Sequence, residues 1–168
     1  EKRLGDSVNY TTEKFGNIQA SVSYVMMEDK DVDDGISANL IYKADSLYAA
    51  VAVDSKTEDE DTQTIRATGI YTMGDLRLGA LINMVDESDT ADAEMGFGVN
   101  AAYKMGKNTA KVQYLSADQS SLGETAISFG VDHKLAKTTK TYVAANLSDA
   151  DAADSDVTSI VFGVVHKF

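Results

Sequence analysis

The sequence predicts an all-β protein, a transmembrane antiparallel up-and-down β-barrel. Three observations predict it: a hydrophobic period of two in segment after segment, segments mostly 9–12 residues long, and connections that alternate between short and long. Successive side chains of a strand lie on opposite faces, so a period of two means one apolar and one polar face. Soluble strands average roughly 5–6 residues. A tilted strand needs roughly 9–11 to cross a bilayer.

About eleven strands are expected, at 4–12, 17–27, 35–43, 47–55, 63–73, 75–85, 96–105, 109–117, 124–135, 139–147 and 157–168. In 4–12, Tyr10 falls in the apolar phase and Asn9 in the polar one. In 17–27, Ile18, Ala20, Val22, Tyr24 and Met26 alternate with Asn17, Gln19, Ser21, Ser23 and Val25. In 35–43, Ile36, Ala38, Leu40 and Tyr42 alternate with Ser37, Asn39, Ile41 and Lys43. The next strand, 47–55, carries the apolar run Tyr48–Val53, with Tyr48 on the polar face. Strand 63–73 alternates Ile65, Ala67, Gly69, Tyr71 and Met73 with Arg66, Thr68, Ile70 and Thr72. Asn83 takes the polar phase in 75–85. In 96–105, Phe97, Val99, Ala101 and Tyr103 oppose Gly98, Asn100, Ala102 and Lys104. Gln113 is polar-phase in 109–117. In 124–135, Ile127, Phe129, Val131, His133 and Leu135 oppose Ser128, Gly130, Asp132 and Lys134. The last strand places Ile160, Phe162, Val164, His166 and Phe168 in one phase and Gly163 in the other.

The 168 residues fit a single domain, 1–168, and include no Cys, Pro or Trp. Without Cys there is neither a disulfide nor a thiolate metal site. A net charge of −12 argues against phosphate-backbone binding, so no nucleic-acid partner is expected. No apolar run approaches the roughly 18 residues of a membrane helix. Residue 1 is Glu and no signal peptide is visible, so a mature or truncated chain is expected.

Short connections fall at 14–17, 44–46, 74–75, 106–108 and 137–138. Long, acidic ones fall at 28–34, 56–61, 86–94, 117–123 and 148–156. Twenty of the 27 Asp and Glu residues lie in or beside the long set. Lys14, Lys43, Lys104, Lys107, Lys134, Lys137 and Lys140 gather at the opposite end. Membrane barrels sort turn length this way, short on one side and long on the other. Solvation explains acidic loops but not their sorting.

Tyr10, Tyr42, Tyr71 and Tyr103 each stand a few residues before a short turn, in the apolar phase. With Phe168 they are expected to form an aromatic girdle at a membrane interface, where a phenol keeps its ring apolar and its tip wet.

If the apolar face meets lipid, the polar face bears the chemistry. At mid-height it offers Asn9, Ser21, Asn39, Arg66, Asn83, Asn100, Gln113 and Asp132, with Arg3 higher up. Mostly neutral amides and hydroxyls suit a water-filled passage. In a packed interior each amide would need a partner. Small polar solutes and ions are the expected cargo, with a non-channel surface barrel acting as adhesin or scaffold as the alternative. A soluble acidic β-protein with its apolar faces packed together is a third class.

No enzyme is expected. His133 and His166 fall in the apolar phase near the short turns, no nucleophile motif surrounds a Ser, and no phosphate-binding glycine loop occurs. Asp29, Asp31 and Asp33 imitate the first positions of a calcium loop. Asp34 then stands where Gly is required, and Leu40 stands where the bidentate Glu belongs. No cofactor or metal site is expected, beyond divalent cations loosely held by the acidic loops.

The segment Arg3-Leu-Gly-Asp-Ser-Val-Asn-Tyr-Thr-Thr-Glu-Lys-Phe-Gly-Asn17 resembles the stretch after the pore-constricting loop in Gram-negative general porins of the neisserial and proteobacterial type. It departs from that family at Asp6, where Asn is usual, and at Thr12-Glu13, where Ser-Pro is common. Gly130-Val-Asp-His-Lys-Leu-Ala-Lys-Thr-Thr139 resembles the family's penultimate hairpin, and Val161-Phe-Gly-Val-Val-His-Lys-Phe168 its closing strand. The resemblance implies a trimeric, sixteen-stranded diffusion channel of the outer membrane. The present strands would then be the sixth to sixteenth, the first five and the constriction loop being missing. An antiparallel closure of eleven strands needs an odd number more, and five satisfies this. The resemblance also implies membrane lipid and lipopolysaccharide as surroundings. It makes Gly163, His166 and Phe168 a signal read by the barrel-assembly machinery.

Overall fold

The structure, a computed structural model, describes residues 6–27, 33–57, 62–87, 93–117, 125–149 and 156–168. Within them run β1 (Ser7–Thr11), β2 (Ile18–Val25), β3 (Gly35–Lys43), β4 (Leu47–Ser55), β5 (Thr62–Met73), β6 (Leu76–Glu87), β7 (Glu94–Met105), β8 (Asn108–Ala117), β9 (Thr125–Lys134), β10 (Thr139–Asp149) and β11 (Val157–His166). Strand order is chain order throughout. The strands β3 and β4 have the ranges expected, 35–43 and 47–55. β1 starts at Ser7, after a bend at Asp6, and ends at Thr11, one residue before the end of the expected 4–12. At Thr12 the backbone N–H still donates to Ala20 O at 2.9 Å, while Thr12 Oγ1 takes the Ala20 N–H at 3.1 Å. A side-chain oxygen thereby replaces a backbone acceptor.

The short turns need little sequence. Gly16, Gly74 and Gly106 have φ of 59°, 58° and 60°. That left-handed region penalises any side chain, and tight hairpins require it. In the β3–β4 turn, where no glycine stands, Ala44 N–H reaches Leu47 O at 2.8 Å.

Contacts divide the chain into two units, residues 1–69 with 81–95, and residues 70–80 with 96–168. In the first, Val8 pairs with Tyr24, Tyr10 with Val22 and Thr11 with Ser21. Ser21 then pairs with Asn39 and Val22 with Ala38, and Ala38 pairs with Val53 and Asn39 with Ala52. In the second, Val99 pairs with Tyr114 and Ala101 with Val112. Val112 then faces Phe129, Phe129 faces Ala145 and Ala145 faces Ile160. Because register preserves phase, the apolar-face positions of one strand fall beside those of the next, while the other face mixes polar residues with small ones, as where Asn39 meets Ala52.

One close approach fixes the far end of the β3–β4 pair. Gly35 is buried, and a Cβ there would stand 2.6 Å from Lys56 O and 2.9 Å from Thr57 Cα. Lys56 itself has a φ of 54°. The chain leaving β4 turns over Gly35, which leaves no room for a side chain.

Among the described residues Val25, 3% exposed, is the sole buried apolar side chain. Phe162 is 83% exposed, Ile160 70% and Val164 66%. On β9 the order is inverted relative to a soluble strand: Ile127, Phe129 and Val131 are exposed while Ser128, Gly130 and Asp132 are half-buried. Soluble monomers rarely expose apolar patches beyond a few hundred Å². An apolar face without a partner in the chain needs an apolar solvent.

Candidate functional site

The polar face carries the side chains with chemistry. In the second unit its central row is neutral and hydrogen-bonding. Asn100 pairs with Gln113, Gln113 with Ser128, Ser128 with Asn146 and Asn146 with Ser159. Within the row, Ser128 Oγ donates to Asn146 Oδ1 at 2.7 Å. The alternation anticipated Asn100 and Gln113. Ser128, Asn146 and Ser159 share their phase and complete the row.

Beside this row sits a charged cluster. Asp132 Oδ2 accepts from Lys111 Nζ and Lys140 Nζ, each at 2.7 Å. The Asp132 side chain is 18% exposed, while the two lysines are 45% and 42% exposed. A carboxylate so enclosed requires such partners. Neither lysine adjoins Asp132 in sequence, and only the register of β8, β9 and β10 brings them together. Two further contacts shape the face. A Cβ on Gly79 would lie 2.7 Å from Asn100 Oδ1, and one on Gly163 would lie 2.7 Å from Tyr142 Cζ. Thus Asn100 rests over Gly79 and the Tyr142 ring over Gly163, its cross-strand partner. A cross-strand aromatic commonly covers a strand glycine in this way.

In the first unit Arg66 Nε donates to Asn83 Oδ1 at 3.0 Å. Two residues expected on the polar face are thus brought into contact, and a carboxamide takes the place a carboxylate would fill. Ser21 Oγ lies 3.0 Å from Thr11 Oγ1, and Asn9 Nδ2 donates to Ser7 Oγ at 3.3 Å. Asn39 Oδ1 is buried without a hydrogen-bond partner among the described residues. Arg3 lies outside those residues, as do Asp29, Asp31 and most of the acidic connections.

On the opposite face, Tyr10, Tyr42, Tyr71, Tyr103 and Phe168 are all exposed. Tyr10 stands opposite Val22 and Tyr42 opposite Ile18. Those partners are four residues apart on β2, about 13 Å along a strand. Strand tilt has to take up this offset if the two rings are to share one height. His166 stacks edge-on against Phe168 at 4.9 Å between centroids and meets Thr139 Oγ1 at 2.8 Å through Nδ1. His133 Nδ1 meets Asn108 Oδ1 at 2.7 Å. Each imidazole thus has a cross-strand polar partner.

At the long-connection end, Asp34 accepts from the Tyr24 hydroxyl and from Met27 N–H at 2.9 Å. Chiefly the Tyr24 bond, and then the Met27 bond, hold its carboxyl below the ordinary carboxylate value. A depressed value means the tie is complete at neutral pH and is lost as pH falls through that lowered value. The Met27 amide resonance should therefore titrate below the ordinary Asp range. A midpoint at or above the ordinary value would contradict the contact.

A profile of Gram-negative porins matches residues 2–167. The chain belongs to the Gram-negative porin family, whose place is the outer membrane. No curated protein matches the chain by sequence. Among solved structures, the chain is similar to the anion-selective porin from Comamonas acidovorans. The TM-score is 0.77 at 20% identity, over 98% of this chain and 60% of that one. It is also similar to a loop-deletion mutant of OmpT, an outer-membrane protein of Vibrio cholerae. Here the TM-score is 0.66 at 17% identity, over 95% of this chain and 62% of that one. A triple mutant of the Rhodopseudomonas blastica porin gives 0.69 at 17%, over 96% and 55%. The fold is therefore that of the porin barrels, and the chain spans between 55% and 62% of the length of these structures.

Proposed function

We propose that the chain forms part of the wall of an outer-membrane channel for passive diffusion of small hydrophilic solutes and ions. The observation that carries this reading is the inverted exposure: apolar side chains outward without partners, and rows of amides and hydroxyls on the other face. Hydroxyls and amides aligned in rows suit exchange with water and transient contacts with polar solutes. In this reading Asn9, Ser21, Asn39, Arg66, Asn83, Asn100, Gln113 and Asp132 line the passage. The apolar face meets lipid, with lipopolysaccharide at the long-connection end and further copies in a homotrimer. The chain catalyses no reaction and holds no cofactor.

Purified protein should give discrete conductance steps in planar bilayers. A non-conducting protein would favour the adhesin or scaffold reading. Among the described residues Arg66 is the single arginine at mid-height on the first unit's polar face, and it is exposed and bonded to a neutral amide. Its charge is thus not cancelled locally and acts on permeating ions. Arg66→Ala should move the reversal potential in a salt gradient toward cation preference. An unchanged potential would remove Arg66 from the channel wall.

A further inference from the structure

The lysines at the short-turn end of the second unit are arranged as a site. The turn between β7 and β8, the turn between β9 and β10, and the end of β11 come together there. Lys134 N–H donates to Lys107 O at 2.8 Å, and Lys167 N–H donates to Thr138 O at 2.9 Å. They border an open recess of about 530 Å³ whose lining includes Lys107, Lys134, Lys137, Lys140, Lys167 and Asp132, together with Thr109, Thr138, Ala136 and Val165. Five lysines and one aspartate thus line one recess. That carboxylate is already held at 2.7 Å by Lys140 and by Lys111 from the neighbouring strand. Its role is to fix Lys140, and it leaves the recess positive. Among the described residues, no carboxylate lies within ion-pair distance of Lys107, Lys134, Lys137 or Lys167.

The clustering is not forced by composition. The chain has 27 Asp and Glu against 15 Lys and Arg, so carboxylates to neutralise these lysines are plentiful, yet twenty of the 27 lie in or beside the long connections. Mutually repelling ammoniums kept together gain from a shared multivalent counterion. Lysine acts as a mobile point charge toward phosphate-like groups, and hydroxyls complete their hydrogen bonding. The volume suits a small hydrated anion.

We propose that this recess binds small oxyanions of the inorganic phosphate type. The proposal deepens the channel reading and rests on it, since the polar face must be wet. Lys134, Lys140 and Lys167 lie in the phase opposite Val143, Phe162 and Val164. Those three lysines therefore lie on the opposite side of the sheet from lipid tails on the apolar face.

The test uses native protein purified from outer membranes in non-ionic detergent, with labelled inorganic phosphate in equilibrium dialysis. The triple variant Lys134→Gln, Lys137→Gln, Lys167→Gln should bind phosphate at least about tenfold more weakly, and Lys43→Gln should bind as the wild type does. Lys137→Gln alone, in an exposed turn, should weaken binding about threefold and serves if the triple variant fails to insert. Equal binding by wild type and variants would overturn the site. So would displacement of phosphate by phosphatidylglycerol, which would assign the recess to a headgroup. In bilayers, phosphate added from the short-turn side should reduce chloride current in the wild type and not in the triple variant. A conducting pore indifferent to phosphate overturns the oxyanion site and leaves the channel reading standing. Binding in micelles without any conductance overturns the channel reading and leaves the site.

Discussion

Val112→Arg should lower the stability of the membrane-inserted protein by about 2–4 kcal/mol. Gln113→Arg, one residue further on, should change it by less than about 1 kcal/mol. Val112 lies midway along β8, exposed, between Ala101 and Phe129 on the apolar face. An arginine there sits at the depth where lipid solvates charge worst, with the thinnest prospect of reaching the interface. Gln113 points the other way, between Asn100 and Ser128, where a guanidinium finds amides and water. Denaturant unfolding from lipid vesicles measures both. Equal losses in the two variants would mean that the face assignment is wrong.

Gly35→Ala should destabilise the protein by about 1–3 kcal/mol. The added methyl would meet the backbone of Lys56 and Thr57, at 2.6 Å and 2.9 Å, and not the movable end of a side chain. Relief therefore requires shifting the end of β4. Gly69→Ala is the matched control, because nothing lies within 4 Å of a Cβ at that position in β5. Restricting the unfolded chain makes that substitution neutral or stabilising by up to about 1 kcal/mol. The same unfolding experiment separates them, and indistinguishable variants would remove the close approach.

Faces were legible in the sequence and partners were not. A period of two assigns Ser128 and Asp132 to one face and Phe129 and Val131 to the other with no knowledge of neighbours. Strands β3 and β4 could be delimited because Ala44-Asp45-Ser46 separates them and acidic connections flank the pair, β3 reading as an alternation and β4 as an apolar run. The cluster around Asp132 depends on a register spanning three strands. Lys111 is 21 residues away and Lys140 is eight away, with nothing local to mark the trio. Arg66 illustrates the same limit. Its phase placed it on the polar face, while its partner, Asn83, is set by how β5 and β6 pair across Gly74. Gly163 could be read only by position, and its packing against Tyr142 emerges once β10 lies beside β11.

The missing interior changes what substitution does to this protein over time. In a water-soluble domain, exchanging one apolar residue for another leaves a void or a clash, and each neighbour must accommodate it. Acyl chains are fluid and refill any contour, so Leu for Phe on this outer face opens no void. Drift there is limited by hydropathy and not by shape. The strict demands retreat to a few backbone positions, such as Gly35 and Gly74, and to the polar rows whose spacing a solute would sense. Such a chain can lose nearly all likeness of spelling to its kin and still trace the same path through the membrane.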